Sequence, residues 1–280
     1  MEQNRFIMLM SGTGGVGKRT LIQGLLSRDD IKLISSFTTR ERRETDTIDR
    51  YQYISKDEFE EKIKSGEIFE YDIFNNSDYY GTSKSLFKNA IAEKPVVLKD
   101  ISVLGYANCK EALSNDYNII SVFITEKKSV IKQRLIDRGE RKDRIKNRLA
   151  IYKKEQSHAD EYDFLIKNSN YNRSIDKLNA IIDYGVNGDI IYPTKNYTKL
   201  IAKKIDRYAA RFATNKKIKP IKVALIDGKI YIVDGVHRYL AALKTGKNVV
   251  KRFVEMPVLK FDFDKDEWRK IVESYDIKRT

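Results

Sequence analysis

Apolar residues in this chain gather in short runs separated by charged stretches of helical period. The first run, RFIMLMS (5–11), has the length of one buried strand and leads straight into glycines. KRTLIQGLLSR follows with apolar positions at helical spacing. Strand, glycine turn and helix in that order predict the opening of an α/β nucleotide fold. KPVVLKDIS (94–102), NIISVFIT (118–125) and DFLIKN (163–168) repeat the strand signature, with Pro95 at the edge of the first. Residues 128–162 read as a charged helical stretch nearly free of breakers. SIDKLNAIIDYG reads as a helix ended by Gly185.

The pattern then breaks at GVNGD (185–189), which sets a predicted boundary near residue 188. Two units are expected, 1–186 and 187–280, in keeping with 280 residues at roughly 100–200 per domain. Within the second unit a helix is predicted around 199–212, then strands IKVALID and IYIVDG joined at Asp227-Gly228, a hairpin signal. HRYLAALKTG supplies the next helix.

Composition narrows the picture. A hydrophobic content of 41% is enough to build cores. No apolar run approaches the ~18 residues of a membrane span, and the apolar patch in MEQNRFIMLMSG is too short for a secretory leader. A single cysteine, Cys109, excludes an internal disulfide framework, and two histidines argue against a Cys/His zinc site. A soluble cytoplasmic protein without a membrane partner is expected. The net charge of +14 is uneven: residues 185–280 carry 22 Lys/Arg against 11 Asp/Glu. That excess suits nucleic acid, nucleotides or other polyanions, although a lysine-rich genome would write scattered Lys in the same way.

The sharpest chemistry lies in Gly12-Thr-Gly14-Gly15-Val-Gly17-Lys18-Arg19-Thr20. Glycines let backbone N–H groups turn inward around phosphate oxygens, and the helix N-terminus adds partial positive charge. Lys18 is placed to reach the β- and γ-phosphates of a nucleoside triphosphate. The strict phosphate-loop pattern puts Ser or Thr directly after the lysine; here Arg19 stands between Lys18 and Thr20.

Downstream come Ser35-Ser36-Phe-Thr-Thr-Arg40-Glu-Arg-Arg43, Tyr51, Gly66-Glu-Ile-Phe-Glu70 and Tyr79-Tyr80-Gly81-Thr82. With these motifs in order, residues 1–185 resemble guanylate kinase. The resemblance implies a P-loop kinase with a parallel sheet core and a lid, using ATP and Mg2+ on a nucleoside monophosphate. Arg40, Arg43, Tyr51 and Tyr80 match the positions that hold the acceptor's phosphate; guanidinium forks and phenolic hydroxyls suit a dianion. Ser36, Glu70 and Thr82 match positions near the base, where one carboxylate can accept from guanine N1–H and its amine together. Arg134, Arg138 and Arg148 match the lid arginines, cations suited to the charge spread over a transferring phosphoryl group. Thr20 and Asp100 are the expected supports of Mg2+, through hydroxyl or water. Two departures stand out. The family's second acid after its middle strand is here Ser102, which weakens the case for strict guanine selectivity, and the usual proline of T-T-R-x-P-R is Arg42.

Residues 218–256 resemble the ParB/sulfiredoxin-like fold, a small α+β unit in which a hairpin runs into D-G-x-H-R at a helix start: Asp234, Gly235, Val236, His237, Arg238. A phosphate site on Asp234, Gly235, His237 and Arg238 is expected there, against the plainer reading of a helix cap. Val236 occupies the place of the sulfiredoxin cysteine, which excludes peroxiredoxin repair. The alternative to a kinase is a nucleotide- or DNA-binding regulator whose kinase-like half acts as a sensor.

Overall fold

A computed structural model describes residues 4–42, 51–74, 77–188, 190–194, 200–255 and 264–276. Elements alternate through the first two thirds: β1 (Phe6–Gly12), α1 (Lys18–Leu25), β2 (Ile31–Leu33), β3 (Ser36–Thr38), β4 (Tyr51–Tyr53), α2 (Lys56–Lys64), β5 (Ile68–Phe74), β6 (Asp78–Ser83), α3 (Lys84–Glu93), β7 (Val96–Asp100), α4 (Gly105–Leu113), β8 (Ile119–Thr125), α5 (Lys128–Asp137), α6 (Lys142–Ser157), β9 (Phe164–Lys167) and α7 (Tyr171–Asn187). The remainder adds β10 (Tyr192–Pro193), α8 (Ala202–Ala213), β11 (Ile221–Ile226), β12 (Lys229–Asp234), α9 (Val236–Thr245), β13 (Lys251–Phe253) and α10 (Lys265–Tyr275).

Nine strands form the main sheet in the order β10-β12-β11-β13-β9-β8-β1-β7-β2. All neighbours are parallel except β11 and β12, which form the hairpin expected at Asp227-Gly228, with both turn residues at positive φ (48° and 74°). A smaller sheet, β4-β3-β6-β5, stands apart. The main sheet is covered on both faces, which is why its central strands read as continuous apolar runs. Along β1 the period of two sends Phe6, Met8 and Met10 into the core beneath α1 and α7, and Ile7 and Leu9 into the core beneath α3 and α4.

The ladder does not stop at the predicted boundary. Gly188, at φ 62°, caps α7, and the chain beyond it returns to the same sheet. Lys251 and Arg252 of β13 pair in parallel with Phe164 and Leu165 of β9. The apolar core containing Phe6 and Leu178 extends through Ile221, Ile232, Leu240 and Trp268. Trp268 Nε1 donates to the Ile191 carbonyl at 3.1 Å.

Two local expectations are corrected. Gly185 lies inside α7, which runs to Asn187; a Cβ at Gly185 would come within 2.6 Å of the Phe6 ring, so the glycine serves close packing rather than termination. The charged stretch 128–162 is less continuous than its period suggests: it divides into α5, α6 and a 3₁₀ turn at Ala159–Glu161. Gly139, at φ 69°, breaks it between α5 and α6.

Candidate active site

The phosphate loop joins β1 to α1. Gly17 at φ 98° is the N-cap of α1 and supplies no side-chain cap, so the first amides of the helix are left for a ligand. Gly12 and Gly15 also lie at positive φ, and Gly14 lets the lid approach: a Cβ there would sit 3.0 Å from an Arg148 guanidinium nitrogen. Lys18 Nζ reaches back to the Gly12 carbonyl at 2.5 Å. Among the described residues Thr13 Oγ1 is buried with no hydrogen-bond partner, a polar atom suited to a bound phosphate. These features fit a triphosphate. Arg19 and Thr20 are exposed in the first turn of α1, and Asp100 ends β7 in register with Met10 of β1.

Lid residues meet this loop from α5 and α6. Arg134 donates to the Val16 carbonyl (3.1 Å) and the Asn168 carbonyl (2.8 Å), bracing the loop from behind. Arg148 lies over Gly14 and is 3.6 Å from Glu140. Arg138 caps α5 and is exposed. The structure adds Glu155 of α6, which the motifs did not single out. Burial pushes its carboxyl up, while Lys18, the Gly14 amide and Arg148 pull the other way. Its Oε2 is buried without a hydrogen-bond partner among the described residues.

The acceptor pocket is built on the smaller sheet. Register places Glu70 opposite Thr82 and Asp72 opposite Tyr80 across β5 and β6, so the four share one face. Thr82 Oγ1 donates to Glu70 Oε2 at 3.1 Å. Glu70 is 6% exposed. Burial raises its carboxyl above the ordinary range; the Thr82 hydroxyl lowers it, the Asp72 carboxylate raises it further and Lys99 lowers it. Lys99, 1% exposed, donates to the Ser36 hydroxyl at 2.6 Å and the Ser35 carbonyl at 3.1 Å. Farther along this face the Arg40 guanidinium lies 5.1 Å from the Tyr51 ring and 5.6 Å from the Tyr53 ring, and Tyr51 meets Tyr80 edge-on at 5.7 Å. Arg43 falls outside the described residues. Ser102 touches the pocket through Asp72, at 2.5 Å.

In the C-terminal part, Gly235 at φ 104° is the N-cap of α9. Arg238 donates to the Lys219 and Pro220 carbonyls and pairs with Asp234 at 2.9 Å. His237 Nε2 accepts from the Ile201 amide at 3.2 Å, with burial and then Lys204 depressing its basicity. These side chains tie strand, hairpin and α8 together.

A parallel sheet with a glycine loop at the tip of β1, an arginine-bearing lid and a second pocket lined by an acid, an arginine and tyrosines defines a P-loop phosphotransferase with separate donor and acceptor sites. The guanylate kinase family model matches residues 3–184, and the chain belongs to that family. It is a nucleoside monophosphate kinase. Similar proteins include guanylate kinases of Maricaulis maris (37% identical over 182 residues, 63% of this chain and 81% of that one) and Malacoplasma penetrans (35% over 181 residues, 63% and 91%). The guanylate kinase of Campylobacter jejuni is 34% identical over 187 residues, 65% of this chain and 89% of that one. The crystal structure of guanylate kinase from Anaplasma phagocytophilum shares the fold with a TM-score of 0.52 at 22% identity, over 65% of this chain and 86% of that one. Among the described residues no helix is long and apolar enough to cross a membrane.

Proposed function

We propose that the protein moves the terminal phosphoryl group of ATP onto GMP, dGMP or a close analogue. The observation that carries this reading is the acceptor face. A buried Glu70, steadied by Thr82, stands at one end, and Arg40 with Tyr51 and Tyr80 stands at the other. A carboxylate that accepts from two N–H donors selects a base with N1–H and an adjacent amine. The arginine and the phenols suit the monophosphate dianion.

Guanylate kinases use ATP with Mg2+, and the glycine cradle and orphaned Thr13 hydroxyl suit the triphosphate. When bound, Mg2+ neutralises charge on the donor phosphates; Thr20 and Asp100 are the residues we assign to it. Lys18 then stabilises the donor's terminal oxygens, Arg138 and Arg148 supply cations from the lid as charge spreads in transfer, and Arg134 acts through the loop it braces. Lid closure keeps water away from the phosphoryl group. No covalent nucleophile on the protein is required.

For residues 187–280 we infer a basic accessory unit of ParB/sulfiredoxin-like build. Its hairpin-to-helix turn at Gly235 and its excess of Lys and Arg support this, and nucleic acid is the partner such charge suits. A gel shift repeated at rising salt tests that part. The kinase reading is tested by a coupled assay of the whole chain with ATP across GMP, dGMP, IMP, AMP, CMP and UMP. Turnover confined to AMP or the pyrimidine nucleotides would overturn it.

A further inference from the structure

The described acceptor pocket holds a second carboxylate that the motifs leave unassigned. Asp72 sits two residues beyond Glu70 on β5, on the same face of the strand. That face meets the start of α4, where Gly105 N–H donates to Ser102 Oγ at 2.9 Å and Ser102 Oγ donates to Asp72 Oδ2 at 2.5 Å. The direction of the chain is fixed: with the amide hydrogen already pointing at the serine oxygen, the hydroxyl proton is left for Asp72. Ser102 therefore orients Asp72 as an acceptor.

Gly105 makes room for Glu70 and for the serine that holds Asp72. A Cβ at that position would collide with Glu70 Oε1 and lie 3.1 Å from Ser102 Oγ. Each carboxylate spends one oxygen on the protein, Glu70 Oε2 on Thr82 and Asp72 Oδ2 on Ser102. The two acids feel each other, since Asp72 raises the Glu70 carboxyl. Side by side and partly desolvated, they call for a ligand edge rich in N–H donors.

We propose that Asp72 is a specificity-determining residue of the acceptor site, accepting a hydrogen bond from the exocyclic 2-amino group of the purine while Glu70 takes N1–H and the other amine hydrogen. The proposal rests on the guanine-nucleotide reading above and sharpens it. Hypoxanthine keeps N1–H for Glu70 and lacks the amine, so it forfeits the Asp72 contact together with the second Glu70 contact, and only the first of these depends on Asp72. Adenine presents a lone pair where Glu70 needs a donor. Ser102 thus contributes to guanine selectivity indirectly, as the group that aims a carboxylate supplied from β5.

The test uses the full-length protein with Asp72→Asn, Asp72→Ala and Ser102→Ala, and reads kcat/KM for GMP and IMP in the same coupled assay. Asn keeps the acceptor for Ser102 and the side-chain shape, so it guards against a folding defect. The GMP:IMP ratio should fall about 10-fold or more in both Asp72 variants, the scale of a hydrogen bond to a charged group, with the IMP value roughly unchanged. Ser102→Ala should lower the same ratio by less. Wild-type selectivity for GMP with a ratio that Asp72→Asn and Asp72→Ala both leave intact would overturn the role of Asp72 alone. A wild-type protein that turns over neither GMP nor dGMP would instead overturn the reading beneath it.

Discussion

Asn168 Nδ2 donates to the carbonyl of Val16 at 2.8 Å, from the end of β9 into the middle of the phosphate loop. A peptide unit is planar and trans, so a carbonyl held on one side points the following N–H to the other. Pinning Val16 O toward Asn168 and Arg134 thus turns the Gly17 amide toward the ligand side. Asn168→Ala should raise the KM for ATP by roughly 2- to 10-fold, the worth of one ordinary hydrogen bond, and leave the KM for the acceptor alone. Initial rates with either substrate varied will show whether the effect is confined to ATP.

Lys18→Ala removes the cation from the loop. Turnover should fall by about 10²-fold or more, as for loss of one preorganised donor to developing charge. The hydrogen bond it makes to the Gly12 carbonyl is worth about 1 kcal/mol, so the melting temperature should move little. A variant with near-normal turnover would refute the assigned role.

Arg40 is 7% exposed and lies against two tyrosine rings. Arg40→Ala should raise the acceptor's KM and lower turnover while ATP binding stays nearly intact. Calorimetric titration with a non-hydrolysable ATP analogue separates the two; an equal loss of ATP affinity would place Arg40 in the donor site.

Glu70 ties selectivity to pH. Burial raises its folded pKa above the ordinary 4.5, so the folded state holds the proton more firmly than the unfolded one. Its contribution to stability is therefore present below pH 4.5 and is lost as pH rises through the raised folded value. Glu70→Gln has no such proton to lose. At neutral pH it should be more stable than wild type in urea titrations, yet lose about 10- to 100-fold in kcat/KM for GMP. A destabilised Gln variant would contradict the sign.

Arg238 is expected to matter for folding rather than turnover. Its guanidinium satisfies two backbone carbonyls ahead of β11 and the Asp234 carboxylate. Arg238→Ala should cost about 2 kcal/mol of stability while kcat per folded molecule at low temperature stays near wild type. Urea denaturation beside the coupled assay measures both.

What could be read from the chain divides by distance along it. The phosphate loop is legible because its glycines, its lysine and the flanking strand and helix are contiguous, and each residue type answers a local need. The Asp227-Gly228 hairpin is legible for the same reason, two adjacent residues at positive φ. Glu70 and Thr82 were reachable through family motifs. Asp72 was not, because its contact with Ser102 spans 30 residues and depends on how β5 passes the start of α4. Asn168 and Val16 are 152 residues apart; Val16 lies inside the phosphate-loop motif, but no motif marks Asn168 as its partner. β13 is only three residues long, too short for a periodic signal, yet it joins the two parts of the main sheet.

That short strand has a consequence for the margin of the sheet. β9 is a buried, apolar strand whose outer backbone groups are met by Lys251 and Arg252 of β13, including the Asp163 carbonyl just before it, which accepts from the Lys251 amide at 2.8 Å. Without the C-terminal residues, β9 would become a bare margin of the sheet, an apolar strand with open N–H and C=O groups that another copy could pair with. Natural margins are blunted by lysines, bulges or a covering segment, and here the covering segment is β13, which is itself paired with β11. The C-terminal part thus acts as an edge guard, and a chain cut after residue 186 would be prone to aggregate through β9.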